Sequence, residues 1–242
     1  MAKYLITGAS TGIGAETSRV LAEGNELFLV YNRSKEKAEQ LKIDLEVMGA
    51  KVHLFQADLT SEEACIRLFD EVCLVTTSLD ALINNAGGLV QRQSIEEFEW
   101  DLMLDIFNLN TFSLFKVTSL AIPLLMKGSN ASIVNTTSIV VRHGGPTATL
   151  YAASKGAVDT FTRGACRELA PTIRVNSVSP GVIDTPFHHK VSTQEQMKTW
   201  AEGNPLKRNG VSKNIADAIK FCIENDFVNG ESIDVNGGLY IR

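Results

Sequence analysis

The feature that most limits what this chain can fold into is a regular alternation of short apolar runs with longer amphipathic stretches. Runs occur at Tyr4–Ile6, Glu26–Tyr31 (ELFLVY), Val52–Gln56, Ala81–Asn84, Ser132–Thr136, Arg174–Val178 and Ser232–Val235. Between them, apolar positions recur at spacings of three and four over Gly14–Glu23, Lys35–Met48, Ser61–Thr77, about Ile95–Met126, Leu150–Leu169 and near Asn214–Ile223. A strand covered by helices on both faces has no polar side, so it reads as a continuous apolar block. Parallel strands need crossovers, and these are right-handed. The pattern therefore predicts an α/β fold: a doubly wound Rossmann-type sandwich with a seven-stranded parallel sheet. No repeat, low-complexity tract or Pro/Gly-rich linker divides the sequence, so residues 1–242 are expected to form one domain. One segment breaks the rhythm. Thr185–Gly210 is polar, follows a strand and is long for a plain connection, which suggests a substrate lid at about 186–207.

Composition narrows the function classes. The formal net charge is −5, with 23 Lys+Arg against 28 Asp+Glu, and no basic stripe appears, so nucleic acid is not an expected partner. No apolar run reaches the roughly 18–20 residues of a membrane-spanning helix. The opening MAKYLITG enters a strand at once and leaves no room for a signal peptide. Cys65, Cys73, Cys166 and Cys222 stand far apart, with no metal-binding spacing, and read as reduced thiols. A cytoplasmic location is the expectation. His188 and His189 are adjacent on a loop and cannot readily chelate one ion, so no metal is expected.

The first strand runs into TGASTGIG, Thr7 to Gly14, and then into a helix. Gly8, Gly12 and Gly14 permit the tight turn and the close approach of backbone to a pyrophosphate. Ser10, Thr11 and Ile13 fill the turn around them. The helix N-terminus supplies free N–H groups and a positive dipole end. The tip of the second strand, Asn32-Arg33-Ser34, lacks the acid that grips an NAD ribose. Arg33 can pair with a 2′-phosphate, and Asn32 and Ser34 can hydrogen-bond it, so NADP(H) is favoured over NAD(H).

The stretch TLYAASK places Tyr151 and Lys155 four apart, on one face of a predicted helix. A free phenol has a pKa of about 10, and an ammonium ion beside it favours the phenolate. The pair can therefore serve as an acid–base device, with Tyr151 giving or taking a proton. His143 and Arg142 follow Ser138 closely and could rim a pocket for a negatively charged substrate. No G-x-S-x-G elbow accompanies Ser138, which argues against a hydrolase triad.

The order TGASTGIG at 7–14, Asp58-Leu59, NNAG at 84–87, Ser138, Tyr151-x-x-x-Lys155, SPG at 179–181, Thr185 and DVNGG at 234–238 resembles the short-chain dehydrogenase/reductase family over nearly the whole chain. The resemblance implies a hydride exchange between NADP(H) and a small-molecule carbonyl or secondary alcohol. It implies that Asp58 and Leu59 hold the adenine, that Asn85, Ala86 and Gly87 pass beneath the adenosine ribose, and that Pro180, Gly181, Ile183 and Thr185 hold the carboxamide. Ser138 would bind the substrate oxygen, and Lys155 would bond the nicotinamide ribose. A catalytic asparagine, Asn110 in preference to Asn108, would hold a water that links Lys155 to solvent. Homotetramers or homodimers are expected. Similarity to 3-oxoacyl-[acyl-carrier-protein] reductases makes a 3-oxoacyl thioester a candidate substrate. The segments GSNAS at 128–132 and Pro171-Thr172 offer no cation for an acidic carrier protein. The alternative from another class is a non-catalytic dinucleotide-binding sensor or scaffold. Such proteins usually lose the Tyr or Lys, and both are present here.

Overall fold

The computed structural model describes residues 1–241. Strands β1 (Lys3–Thr7), β2 (Glu26–Tyr31), β3 (Lys51–Gln56) and β4 (Ala81–Asn84) alternate with helices α1 (Gly12–Val20), α2 (Lys35–Val47) and α3 (Glu62–Val75). Then come α4 (Trp100–Phe107) and α5 (Ser113–Leu125), strand β5 (Ser132–Thr136), a short α6 (Val140–His143), the long α7 (Thr149–Leu169) and β6 (Arg174–Pro180). The last part holds β7 (Ile183–Asp184), α8 (His188–Val191), α9 (Gln194–Gly203), β8 (Gly210–Val211), α10 (Ser212–Glu224) and β9 (Ser232–Val235). Among the described residues no helix is long and apolar enough to cross a membrane.

The main sheet has seven parallel strands in the order β3-β2-β1-β4-β5-β6-β9, and all seven apolar runs of the sequence are in it. The reason those runs are apolar throughout is visible in the side-chain alternation. Tyr4, Ile6, Leu27, Leu29, Ala81 and Ile83 pack into one core with Leu41 and Leu45 of α2 and Ile215 and Ile219 of α10. Their neighbours Leu5, Phe28, Val30 and Leu82 pack into a second core on the other face, with Leu68 and Val72 of α3 and Val117 and Leu125 of α5. Strands β1, β2 and β4 thus bury both of their faces, and burying a large aliphatic side chain contributes roughly 1.5–3 kcal/mol.

The winding direction reverses between β1 and β4, which are neighbours although β2 and β3 intervene in sequence. Strands diverge in connection there, and a crevice opens beyond their carboxyl ends. The expected lid is clasped at its base by the two-stranded sheet of β7 and β8, Ile183 facing Gly210 and Asp184 facing Val211. Between those strands lie α8 and α9, the latter begun by a capping box of Thr193 and Gln196.

The expected long helical stretches over about 95–126 are present as separate segments. A short 3-10 turn at Ile95–Glu97 precedes α4, and a π-helical segment at Asn108–Phe112 separates α4 from α5. The Asn110 amide explains the interruption, since its Nδ2 donates to the Ile106 carbonyl at 2.9 Å and replaces the backbone there.

Candidate active site

The crevice is a single cleft of about 960 Å³. At one end is the glycine turn. Gly8 and Gly12 have φ of +61° and +57°, the left-handed region that favours glycine. Gly14 is excluded from having a side chain for another reason: a Cβ would lie 2.3 Å from the Gly8 carbonyl oxygen and 2.6 Å from Asn85 Nδ2. The turn is braced from the switch point. Asn85 Nδ2 donates to the carbonyls of Thr7 and Gly8 at 3.0 and 3.1 Å, and Thr7 Oγ1 accepts from the N–H groups of Asn85 and Ala86 at 3.0 Å each. Thr11 caps α1 without a side-chain hydrogen bond, so the first-turn N–H groups of that helix face the cleft unclaimed by a cap. Gly8, Ser10, Thr11, Gly12 and Ile13 line the cleft, as do Asn32, Arg33 and Ser34 at the tip of β2.

At the other end stand the acid–base groups. Ser138 follows β5, and Tyr151 and Lys155 occupy one face of α7; all three line the cleft. The Ser138 hydroxyl hydrogen-bonds the Tyr151 phenol, and burial pushes that phenol up to about 12. Lys155 is 2% exposed, its Nζ donates to the Thr136 carbonyl at 2.7 Å, and burial pushes its pKa down to about 8. Desolvation disfavours the charged form of both groups, which moves an acid up and a base down. The phenol's proton is therefore held more tightly here than in water. Lys155 is turned towards Thr136, and burial decides the direction for the phenol in the protein alone.

Asn110 is fully buried in the π-helical segment. Its Nδ2 donates to the Gly88 carbonyl at 2.8 Å and its Oδ1 accepts from the Gly88 N–H at 2.9 Å. A Cβ on Gly87 would meet Asn110 Oδ1 at 2.8 Å and Lys155 Nζ at 3.1 Å, so Asn110 packs directly behind these two lining residues. Asn85, Ala86, Gly87, Pro180, Gly181, Ile183 and Thr185 line the cleft between the two ends. Thr185 Oγ1 donates to the Ile183 carbonyl at 3.2 Å.

Some sequence candidates sit elsewhere. Asp58 and Leu59 lie at the end of β3 beside the cleft and are not among its lining residues. The Asp58 carboxylate accepts from the Thr60 hydroxyl at 2.7 Å and the Thr60 N–H at 3.1 Å, which holds its pKa below the usual carboxylate range with help from Asn32 and Arg33. Arg142 does not rim the pocket. It turns inward to Asp159 at 3.1 and 3.3 Å, with Asp234 at 3.7 Å, and so ties α6 to α7 and β9. His143 does line the cleft. His189 pairs with Asp184 at 2.8 Å, and His188 packs edge-on against Phe187 and Trp200. Burial, with Arg92 nearby, pushes His188 down to about 4, so it is a neutral ring at pH 7.

Reasoning from sequence missed Arg92 and the aromatic wall. Phe187 lies 6.3 Å from Tyr151 and 4.9 Å from His188, and His188 lies 5.8 Å from Trp200, centroid to centroid. Arg92 Nε donates to the Val191 carbonyl of α8 at 3.3 Å. Arg92 and Val191 are 99 residues apart, and no local pattern announces that contact.

The short chain dehydrogenase family model matches residues 3–196. With the glycine turn, the seven-stranded sheet and the Ser138, Tyr151 and Lys155 cluster in place, the chain belongs to the short-chain dehydrogenase/reductase family, as an oxidoreductase that uses a nicotinamide dinucleotide. A curated relative, the 3-oxoacyl-[acyl-carrier-protein] reductase FabG of Thermotoga maritima, is 34% identical over 98% of this chain and 97% of its own. Among solved structures, an NADH-dependent reductase responsible for alginate metabolism superposes with a TM-score of 0.91 at 30% identity, covering 100% of this chain and 98% of that one. A variant of an actinorhodin polyketide ketoreductase, with NADPH, gives 0.90 at 29%, covering 98% and 97%. The glycine turn fits a pyrophosphate, since Gly8 and Gly12 line the cleft without side chains next to the uncapped first turn of α1, and the cleft is at the upper end of the usual volume for ligand sites.

Proposed function

We propose that the chain is an NADP(H)-preferring reductase of small-molecule ketones and aldehydes, built as one catalytic domain over residues 1–242. The dinucleotide, when bound, supplies or accepts the hydride. The Gly8–Gly14 turn would hold its pyrophosphate, and Arg33, with Asn32 and Ser34, its 2′-phosphate. Asp58 and Leu59 would border the adenine, and Asn85, Ala86 and Gly87 the ribose beyond it. Pro180, Gly181, Ile183 and Thr185 would hold the carboxamide.

The observation that carries the reading is the Ser138–Tyr151 hydroxyl pair at the cleft wall, with the Lys155 ammonium buried behind it. Ser138 holds the substrate oxygen. Tyr151 keeps its proton at neutral pH and would donate it to that oxygen as charge develops, or take it back in the reverse oxidation. Lys155, protonated at pH 7, stabilises the phenolate left behind and bonds the nicotinamide ribose. Asn110 fixes Gly88 and the floor under Gly87, and it would hold a water that links Lys155 to solvent so that the phenol is reprotonated. Arg33 at the tip of β2, where no acid stands, supports NADP(H) over NAD(H). Exposed Trp100 of α4 and Phe112 of the π-helical segment, at 70% and 51%, support a homodimer or homotetramer, and the free cysteines support a reducing, cytoplasm-like location. The Thermotoga relative's name adds 3-oxoacyl thioesters to the substrate panel.

The test is the oxidation of NADPH and NADH, followed at 340 nm with a panel of ketones, aldehydes and short thioesters. Turnover with NADPH at a kcat/KM well above that with NADH is expected. Tight cofactor binding with no turnover of any carbonyl would favour a sensor instead.

A further inference from the structure

The reductase reading leaves the substrate unnamed, and the far end of the cleft constrains it. None of the residues lining the cleft is Asp or Glu among the described residues, although the chain has 28 acids and a net charge of −5. Arg33 serves the cofactor end and Lys155 the chemistry. Two further cations, Arg92 and Lys190, line the opposite end beside the lid.

Arg92 is the better placed of the two. It is half-buried on the loop after β4, and its Nε is spent on the Val191 carbonyl at 3.3 Å. No carboxylate pairs with it among the described residues, and its Nη groups have no protein partner. The fork is therefore anchored through one nitrogen and open through the others. It faces an apolar and aromatic wall of Leu89, Phe187, His188 and Trp200, where a guanidinium is weakly screened. The two loops that frame this end are held in unusual backbone conformations. Val90 and Thr147 have φ of 59° and 61°, and Gln93 N–H donates to the Thr147 carbonyl at 2.9 Å. Strain at β-branched residues persists where the surroundings over-determine it, commonly around ligand sites.

We infer that the substrate is a carbonyl compound bearing a terminal oxyanion, a carboxylate or a phosphate, gripped by Arg92 at the lid end of the cleft while its carbonyl lies between Ser138 and Tyr151. This rests on the reductase reading above. A planar fork recognises either oxyanion through paired hydrogen bonds, and a cleft free of negative charge attracts it from solution. Binding also joins the β4 loop to α8, since the same guanidinium holds Val191.

The experiment compares matched substrates on the NADPH-loaded enzyme: oxo acids of increasing chain length, their methyl esters, and dihydroxyacetone with its phosphate. Wild type, Arg92→Lys and Arg92→Gln are compared. For wild type the best oxo acid or the phosphate should have a KM at least about tenfold below that of its neutral partner. Whichever anion shows the larger ratio is the natural oxyanion. Arg92→Gln should raise the KM of the anion about 10- to 100-fold more than that of its neutral partner. Arg92→Lys should fall between, keeping charge without the fork. Loosening of the lid would raise both KM values together, so equal effects on anion and neutral partner would overturn the inference and leave the reductase reading standing. A wild type that prefers the neutral partners would overturn it too. Absence of turnover with every carbonyl, with NADPH bound, would sink both.

Discussion

Lys155→Met should abolish turnover and yet make the cofactor-free protein more stable. The magnitude follows from burial. Removing the ammonium from water lowers its pKa from 10.5 to about 8, and each tenfold change in proton affinity corresponds to about 1.4 kcal/mol. At pH 7, below both values, carrying that charge costs the fold about 3 kcal/mol. The Nζ–Thr136 hydrogen bond returns some of this, about 1–1.5 kcal/mol, and methionine loses it. The net expectation is a variant about 1–2 kcal/mol more stable at pH 7. The sign with pH is fixed. Between about 8 and 10.5 the unfolded lysine is protonated and the folded one is not, so wild-type stability rises with pH relative to Lys155→Met. The gap should close as pH approaches about 10. Urea unfolding of both proteins at several pH values between about 6.5 and 10 measures it. A variant less stable than wild type by about 2 kcal/mol or more at pH 7, with no change in the gap as pH rises, would refute the claim that the lysine is held at a cost for chemistry.

Arg33→Ala should raise the NADPH KM about 10- to 100-fold and barely alter that for NADH, as steady-state titration of both cofactors will show; equal effects would dissociate Arg33 from the 2′-phosphate. Gly14→Ala should destabilise the fold by about 1–3 kcal/mol and weaken dinucleotide binding, because the new methyl has no room beside the Gly8 carbonyl; calorimetry and cofactor titration report both. Arg142→Gln should cost about 1–3 kcal/mol of stability and lower kcat more than it raises KM, since Asp159 keeps Arg163 at 2.6 Å while the turn after Ser138 loses its tie to α7. Thermal melts and kinetics on one substrate separate those two effects.

The sheet is legible in the sequence because period and burial are local facts. Each apolar run forms a strand of the sheet, since a strand such as β2 sends Leu27 and Leu29 to one core and Phe28 and Val30 to the other. The glycine turn is legible because steric exclusion leaves few residue types at Gly8, Gly12 and Gly14. The long α7 begins and ends within one residue of expectation. What escapes depends on partners far along the chain. The form of the break escapes, because Asn110 reaches both Ile106 and Gly88, the latter 22 positions away. It is Asn110, the candidate preferred to Asn108, that makes these contacts. Proximity to Ser138 in sequence suggests a pocket rim for Arg142, but Asp159 and Asp234, on elements formed later in the chain, draw it inward. The acid strength of Tyr151 escapes for the same reason: spacing shows a neighbouring cation, whereas burial, which decides the direction, is a property of the whole fold.

The central claim is that the Tyr151 phenol donates the proton in carbonyl reduction. Its most direct test is kcat/KM for Tyr151→Phe with saturating NADPH, alongside the variant's cofactor dissociation constant. A fall of about a hundredfold to ten-thousandfold is expected, with cofactor affinity within about twofold of wild type. A variant that reduces the same substrate at the wild-type rate would show that the proton comes from elsewhere.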